Sequence, residues 1–144
     1  MKPAALSLAS LTLVATAVLA ATPVGDPGEH VYTTICQGCH MSQGEGAVGA
    51  GFYPKLAGDP ALASWQYVAV TVLNGRHAMP SFGDIPGSLT GDASFMSASL
   101  SDAEIAAVVN YVRSHFGNNF KDKASEKEVA ALPHPGSRGS GRAG

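Results

Sequence analysis

The sequence is poor in cysteine, in positive charge and in strand-like patterns, and each shortage excludes a class of protein. Cys36 and Cys39 are its only cysteines, so no second pair is present to complete a structural zinc site with four ligands. Lysine and arginine total 9 against 11 aspartates and glutamates, and no basic cluster suggests nucleic-acid binding. Because no strand pattern appears, the chain also lacks the βαβ context of a thioredoxin-like dithiol.

The beginning of the chain predicts a secretory signal peptide at residues 1–20. Lys2 precedes an uncharged stretch rich in Ala, Leu and Val, and small residues end it at Ala20. We expect cleavage after Ala20, which places the mature protein in the periplasm with no stable membrane span. The alternative is a retained anchor, although the many Ala and Thr residues make the stretch weakly hydrophobic for that role.

The other end of the chain has no apolar periodicity. Lysines alternate with acidic residues from Lys121 onward, and the sequence after Pro133 is dense in Gly, Ser and Pro. Such segments bury too little apolar surface to offset the entropy of ordering them. We therefore expect a folded domain at residues 25–120 and a charged, then Gly/Ser/Pro-rich tail at residues 121–144. A core that small usually needs additional stabilisation.

The two cysteines and the following His40 form the pattern Cys-x-x-Cys-His. This pattern is the signature of c-type haem attachment. Two thiols one helical turn apart can reach the two vinyl groups of one porphyrin, and the adjacent His can bind the iron from the same side. We therefore expect one covalent haem c, with thioethers at Cys36 and Cys39 and with His40 as the proximal iron ligand. The haem would also supply apolar surface that a small domain lacks.

Three helices are predicted, each beginning at a side chain that can cap it. Asp26 and Asp59 are followed by Pro, and Ser101 forms a capping box with Glu104. Apolar residues follow each cap at helical spacing. These residues are Val31, Tyr32 and Ile35 in the first helix; Leu62, Trp65, Ala69, Val72 and Leu73 in the second; and Ile105, Val108, Val109, Val112 and Phe116 in the third.

On the attachment motif and this order of helices, the chain resembles class I cytochromes c over residues 25–120. The resemblance implies an all-α fold, with three main helices wrapped around one covalently bound haem. In that family, a glycine and an aromatic residue of the first helix meet an aromatic residue of the last helix. Gly28, Tyr32 and Tyr111 match these positions.

The resemblance also implies two further residues of the haem site. Pro54 matches the proline whose carbonyl oxygen accepts the Nδ1–H of the proximal His, here His40. Met79, which is followed by Pro and comes just after the second helix, matches the distal axial iron ligand. The interval from Met79 to Ser101 is longer than the family usually has, and Met96 would fit the shorter spacing. We favour Met79, because an insertion in the surface loop after it costs little, and keep Met96 as the alternative.

A haem iron held by His and Met has no open position for a substrate, so the resemblance implies a single-electron carrier and not an enzyme. The runs around Met79 and Tyr111 look like those of small cytochromes that link a periplasmic dehydrogenase to a terminal oxidase. Two alternatives stay open. Without a Met ligand, the haem could bind gases or act as a peroxidase or sensor. The domain could also be a structural part of a larger dehydrogenase complex.

Overall fold

The computed structural model of the chain describes residues 25–83 and 99–135. The predicted cleavage site after Ala20 and the alternative ligand Met96 lie outside these residues. Within the described ranges, no helix is long and apolar enough to cross a membrane. The elements in chain order are α1 (Pro27–Val31), a π-helical turn (Tyr32–Cys36), α2 (Gln37–His40), β1 (Ala47–Val48), β2 (Phe52–Tyr53), a 3₁₀ helix (Pro60–Ala63), α3 (Trp65–Asn74), α4 (Asp102–Ser114) and α5 (Glu126–Ala130).

The first helical segment runs from α1 through the π-helical turn into α2. Asp26 caps it by accepting a hydrogen bond from the backbone N–H of Gly28 at 2.7 Å. The hydroxyls of Thr33 and Thr34 donate to backbone carbonyls one turn earlier, at 2.9 and 2.7 Å. Such hydroxyl bonds compete with the α-helical ladder, and β-branched residues fit it poorly. This local chemistry accounts for the wider turn that leads into Cys36.

The second predicted helix is divided at Ser64. Asp59 caps only the 3₁₀ helix, through a 2.9 Å bond from Ala61 N. Ser64 has an extended backbone and its hydroxyl accepts from Tyr67 N at 3.2 Å, which starts α3 anew. The expectation of one helix from Asp59 is therefore wrong, because a serine side chain competes as an N-cap within it.

Helix α4 packs against α1 at very short range. Its capping box between Ser101 and Glu104 is present as predicted. A Cβ added at Gly28 would lie 2.7 Å from Tyr111 Cβ and still closer to the carbonyl oxygen of Ala107. Only glycine allows this approach, so Gly28 fixes how close the two helices can come.

The described fold is helical with one small sheet. Strands β1 and β2 pair antiparallel, with Ala47 opposite Tyr53 and Val48 opposite Phe52. The expectation that the chain has no strands is thus wrong at this hairpin. Two-residue strands are too short to show the alternation by which a strand is recognised.

The folded region also continues beyond residue 120, where a solvated tail was expected. Ser125 and Glu128 form a second capping box that begins α5, and Val129 is 0% exposed within the core. Asn110 on α4 bonds both the carbonyl and the N–H of Ala124, at 2.8 Å each. Residues 121–135 therefore do not form the solvated segment that was expected there, because a capping box, a buried valine and the bonds of Ala124 hold them on α4.

Candidate haem-binding site

The two cysteines lie on consecutive turns of the first helical segment, immediately before the buried His40. Cys36 is half-buried, Cys39 is exposed, and the two are not joined in a disulfide. Burial raises the pKa of the Cys36 thiol to about 11. The attacking thiol of a redox dithiol instead has a lowered pKa. The geometry therefore suits two thiols presented on one helix face better than an oxidoreductase pair.

One hydrogen bond sets the orientation of the His40 ring. Its Nδ1 lies 2.8 Å from the carbonyl oxygen of Pro54. A carbonyl oxygen can only accept, so Nδ1 carries the proton and Nε2 is left with a lone pair. No buried side-chain nitrogen or oxygen in the described ranges lacks a partner, so Nε2 reaches accessible space. A ring fixed at Nδ1 with Nε2 open, beside two thiols, fits a haem c iron.

Gly46 holds the Pro54 carbonyl in place. Its φ is 69°, and its N–H donates to the His40 carbonyl at 3.1 Å. A Cβ at this position would lie 2.5 Å from Tyr53 O and 2.9 Å from Pro54 C. Only glycine here therefore allows the acceptor of the His40 bond its position. The sequence does not predict this role, although Gly46 stands in a glycine-rich stretch shortly after the motif.

An aromatic cluster lies beside the motif. Tyr32 packs 5.6 Å from Tyr111 and 4.7 Å from Phe116, measured between ring centroids. The Tyr32 hydroxyl donates to the carbonyl of Met41 at 2.6 Å, and burial raises its pKa to about 12, so it keeps the proton that it donates. The cluster thus fastens the chain directly after His40 to α4.

Met79 lies half-buried in a tight loop that follows α3. Arg76 and Met79 exchange two backbone hydrogen bonds, at 3.0 and 2.9 Å. Farther on, the N–H groups of Phe82 and Gly83 donate to carbonyls of α3 at 3.0 Å each, and the Ser81 hydroxyl donates to Leu73 O at 2.5 Å. The loop is therefore closed on itself at Met79 and held against α3 by the residues that follow.

Sequence analysis missed Arg113, which is 1% exposed. Its Nε donates to Leu62 O at 2.8 Å, and its Nη2 donates to Ala63 O at 3.0 Å and to the Asp122 carboxylate at 2.7 Å. The hydrogen bond from Arg113 holds the pKa of the Asp122 carboxyl below its usual value. The one sequence signal was its place four residues after Val109 on the apolar stripe of α4. Arg113 therefore joins α4 to the 3₁₀ helix and to Asp122, in the segment that follows α4.

This site combines two free cysteines with a histidine whose ring is fixed at Nδ1, on a helical scaffold. These are the features of a c-type haem protein. The model of the family described as Cytochrome c matches residues 25–116. The chain therefore belongs to the cytochrome c family, as a class I c-type cytochrome, and this family implies covalently bound haem c with its iron.

The relatives of this chain are cytochrome subunits of dehydrogenases, and they are much longer than the chain. It is 37% identical over 101 residues to the fructose dehydrogenase cytochrome subunit of Gluconobacter japonicus, covering 63% of this chain and 19% of the relative. It is 30% identical over 109 residues to the gluconate 2-dehydrogenase cytochrome c subunit of Pantoea cypripedii, covering 73% and 23%. The cytochrome c subunit of alcohol dehydrogenase (quinone) from Gluconobacter oxydans is 30% identical over 124 residues, covering 81% and 24%. The chain thus spans less than a quarter of each of these relatives.

Proposed function

We propose that the protein is a periplasmic single-electron carrier in which Cys36 and Cys39 hold one haem c. His40 is the proximal axial ligand of its iron, and Met79 is the distal one. The observation that carries the proposal is the 2.8 Å bond between His40 Nδ1 and Pro54 O, because it leaves Nε2 for the iron beside the two thiols. Membership of the cytochrome c family supports the same reading.

In this proposal the protein's residues restrict what the haem can do. The bound haem supplies a reversible one-electron change of its iron, and a Met ligand favours a fairly positive potential. Pro54 fixes the ring of His40, and the backbone bonds of the Met79 loop limit the region that its side chain can reach. Two protein ligands leave no coordination position for a substrate. A scaffold that changes little between the two iron states favours electron transfer over other chemistry.

The three main helical regions would enclose the haem. The first helical segment carries the thiols and His40, α3 leads into the Met79 loop, and α4 closes against α1 at Gly28. Several partly buried apolar side chains pack against the core near these regions, among them Ile35, Leu56 and Phe82. We propose that this half-covered apolar surface receives the porphyrin, whose burial stabilises the domain.

For partners, we propose a periplasmic or membrane dehydrogenase as donor and a terminal oxidase or another cytochrome as acceptor. The support for the donor is that the relatives are named as cytochrome subunits of fructose, gluconate and alcohol dehydrogenases. Export by a signal peptide cleaved after Ala20 would bring the protein to that compartment. Amino-terminal sequencing of the mature holoprotein should then begin at Ala21, and finding Met1 on membrane-bound protein would contradict cleavage.

The test is purification of the holoprotein from the periplasm, followed by two measurements. The denatured chain should keep one haem in its mass, and the reduced protein should bind carbon monoxide only slowly, because Met79 occupies the iron. Haem that extracts freely would overturn the attachment. Rapid carbon monoxide binding would instead favour a five-coordinate haem that senses gases or acts as a peroxidase. Reduction by a quinone-linked or sugar dehydrogenase would identify the donor.

A further inference from the structure

The chain after α5 turns back over the end of α3. The side-chain amide of Asn74 donates to Pro133 O at 2.9 Å. Pro135 Cδ lies 3.0 Å from where a Cβ of Gly83 would stand. The last described residues of the chain therefore lie against both ends of the loop that carries Met79. We call residues 132–135 the C-terminal strap.

His134 fastens this strap to α4. Its Nδ1 lies 2.7 Å from Leu132 O, and its Nε2 lies 2.8 Å from the carboxylate of Asp102, the first residue of α4. Both side chains are partly shielded, with 23% of His134 and 29% of Asp102 exposed. A ring with an acceptor at each nitrogen has little freedom to rotate, and a charge-assisted bond is stronger than a neutral one. The pair thus holds the strap to a rigid helix end.

The strap adjoins the residues whose backbone bonds close the Met79 loop. Gly83 donates to Leu73 O at 3.0 Å, and Phe82 both donates to Val72 O and accepts from Leu100 N, at 3.0 and 2.8 Å. A Cβ at Gly83 would lie 2.9 Å from Leu73 O and 3.0 Å from Pro135 Cδ, so Gly83 contacts α3 and the strap at the same place. Lifting the loop from α3 therefore breaks the backbone bonds and also the contact with Pro135, which only the closed loop makes.

We propose that the C-terminal strap keeps the Met79 loop closed, with His134 and Asp102 as positioning residues. The inference rests on the proposed role of Met79 as the distal ligand. A methionine leaves its iron only when its loop opens, so any contact made only by the closed loop favours ligation. The strap lies outside residues 25–116, which the family model matches.

The first measurement is amide hydrogen exchange of the reduced holoprotein. In His134→Ala and in Asp102→Asn, the Phe82 and Gly83 amides should exchange about tenfold faster, the effect expected from losing one charged hydrogen bond. Amides in the middle of α4 should show a smaller change, because they report global opening. Asp59→Ala is the control: it removes a cap bond of similar kind from the 3₁₀ helix and should leave the loop amides unchanged.

The second measurement is the affinity of the oxidised holoprotein for imidazole, which competes with Met79 for the iron. His134→Ala and Asp102→Asn should bind imidazole about tenfold more tightly, in step with the exchange rates. If both variants keep the exchange rates of the loop amides and the imidazole affinity unchanged, the strap does not keep the Met79 loop closed. If Met79→Ala itself fails to strengthen imidazole binding, the proposed ligation is wrong. In that case the exchange rates still show whether the strap holds the loop.

Discussion

Gly46 occupies a position where any side chain would collide with the peptide of Pro54. Its φ of 69° is in the left-handed region, and an added Cβ would meet Tyr53 O at 2.5 Å. We predict that Gly46→Ala moves the Pro54 carbonyl and weakens its bond to His40. The stability should fall by about 2 kcal/mol or more from strain and displacement together. Denaturant unfolding of the holoprotein measures the loss, and the His40 Nδ1–H resonance of the reduced protein reports the bond.

Gly58 provides a matched control for this substitution. Its φ is 63°, and a Cβ there would have no atom within 4 Å. Gly58→Ala should therefore carry only the backbone cost of about 1 kcal/mol, with the His40 resonance unmoved. Equal losses in the two variants, or an unchanged resonance in Gly46→Ala, would show that Gly46 does not position Pro54.

Arg113 is the buried charge on which three segments depend. Removing it leaves the carbonyls of Leu62 and Ala63 without their donor, and a buried acceptor that loses its partner costs about 1–3 kcal/mol. We predict that Arg113→Met lowers the free energy of unfolding by about 3 kcal/mol or more. Urea unfolding of the holoprotein is the measurement.

The exposed Lys123 offers the control for loss of a positive charge. Lys123→Met should change the free energy of unfolding by less than about 0.5 kcal/mol. A small effect of Arg113→Met, similar to that of Lys123→Met, would mean that solvent replaces the bonds and that Arg113 is not a structural anchor.

At the scale of residues, a site could be predicted where its members are close together along the chain, and could not where they are far apart. Cys36, Cys39 and His40 form a motif whose chemistry is contained in five adjacent positions, so the sequence is enough to recognise it. Two acceptors of Arg113, the carbonyl oxygens of Leu62 and Ala63, are 51 and 50 positions away. No local sequence pattern predicts that pairing, and only the position of Arg113 on the apolar stripe of α4 indicates that its side chain is buried.

At the scale of elements, α5 is a short helix whose stability depends on what it packs against. Five residues cannot form a stable helix alone. The buried side chain of Val129 supplies the contact with α4 that holds it. We predict that Val129→Ala lowers the free energy of unfolding by about 2 kcal/mol, from lost burial and the cavity left behind. Thermal or urea unfolding of the holoprotein checks this value.

Val48 on β1 allows the same substitution at an exposed site. It is 85% exposed, so Val48→Ala should change stability by less than about 0.5 kcal/mol. If Val129→Ala is equally mild, the packing of α5 on α4 contributes little to the stability of the domain.

The elements also show where local signals compete. The capping box at Ser101 and the following stripe made α4 predictable, because every signal agreed. Ser64 and the pair Thr33 and Thr34 lie within stretches that the apolar spacing predicts as helices, but their hydroxyls bond backbone groups and alter the helices there. Helix α5 was missed because an isolated five-residue stretch with one buried valine has no periodicity to detect.

At the scale of the whole molecule, long-range contacts hold the chain around the haem motif. Gly28 brings α1 onto α4, and Tyr32 joins the aromatic cluster of Tyr111 and Phe116. Asn118 then ties the end of α4 to Leu56, just after Pro54, through a 3.0 Å bond. The family resemblance anticipated that Gly28 and Tyr32 meet Tyr111. The contacts of Phe116 and Asn118 depend on how distant segments meet, which the sequence pattern alone does not encode.

The distal ligand is the part of the account that a single comparison can decide. Met79 lies in a loop that is closed by its bonds with Arg76 and held to α3 by the residues that follow it, and Met96 is the alternative candidate. Methionine ligation gives oxidised c-type cytochromes a weak red absorption band, which disappears when the methionine is removed. The measurement is that band in Met79→Ala and Met96→Ala, together with the reduction potential of each. Our account predicts that Met79→Ala loses the band and has a lower potential, while Met96→Ala keeps both. Loss of the band in Met96→Ala with its retention in Met79→Ala would contradict it.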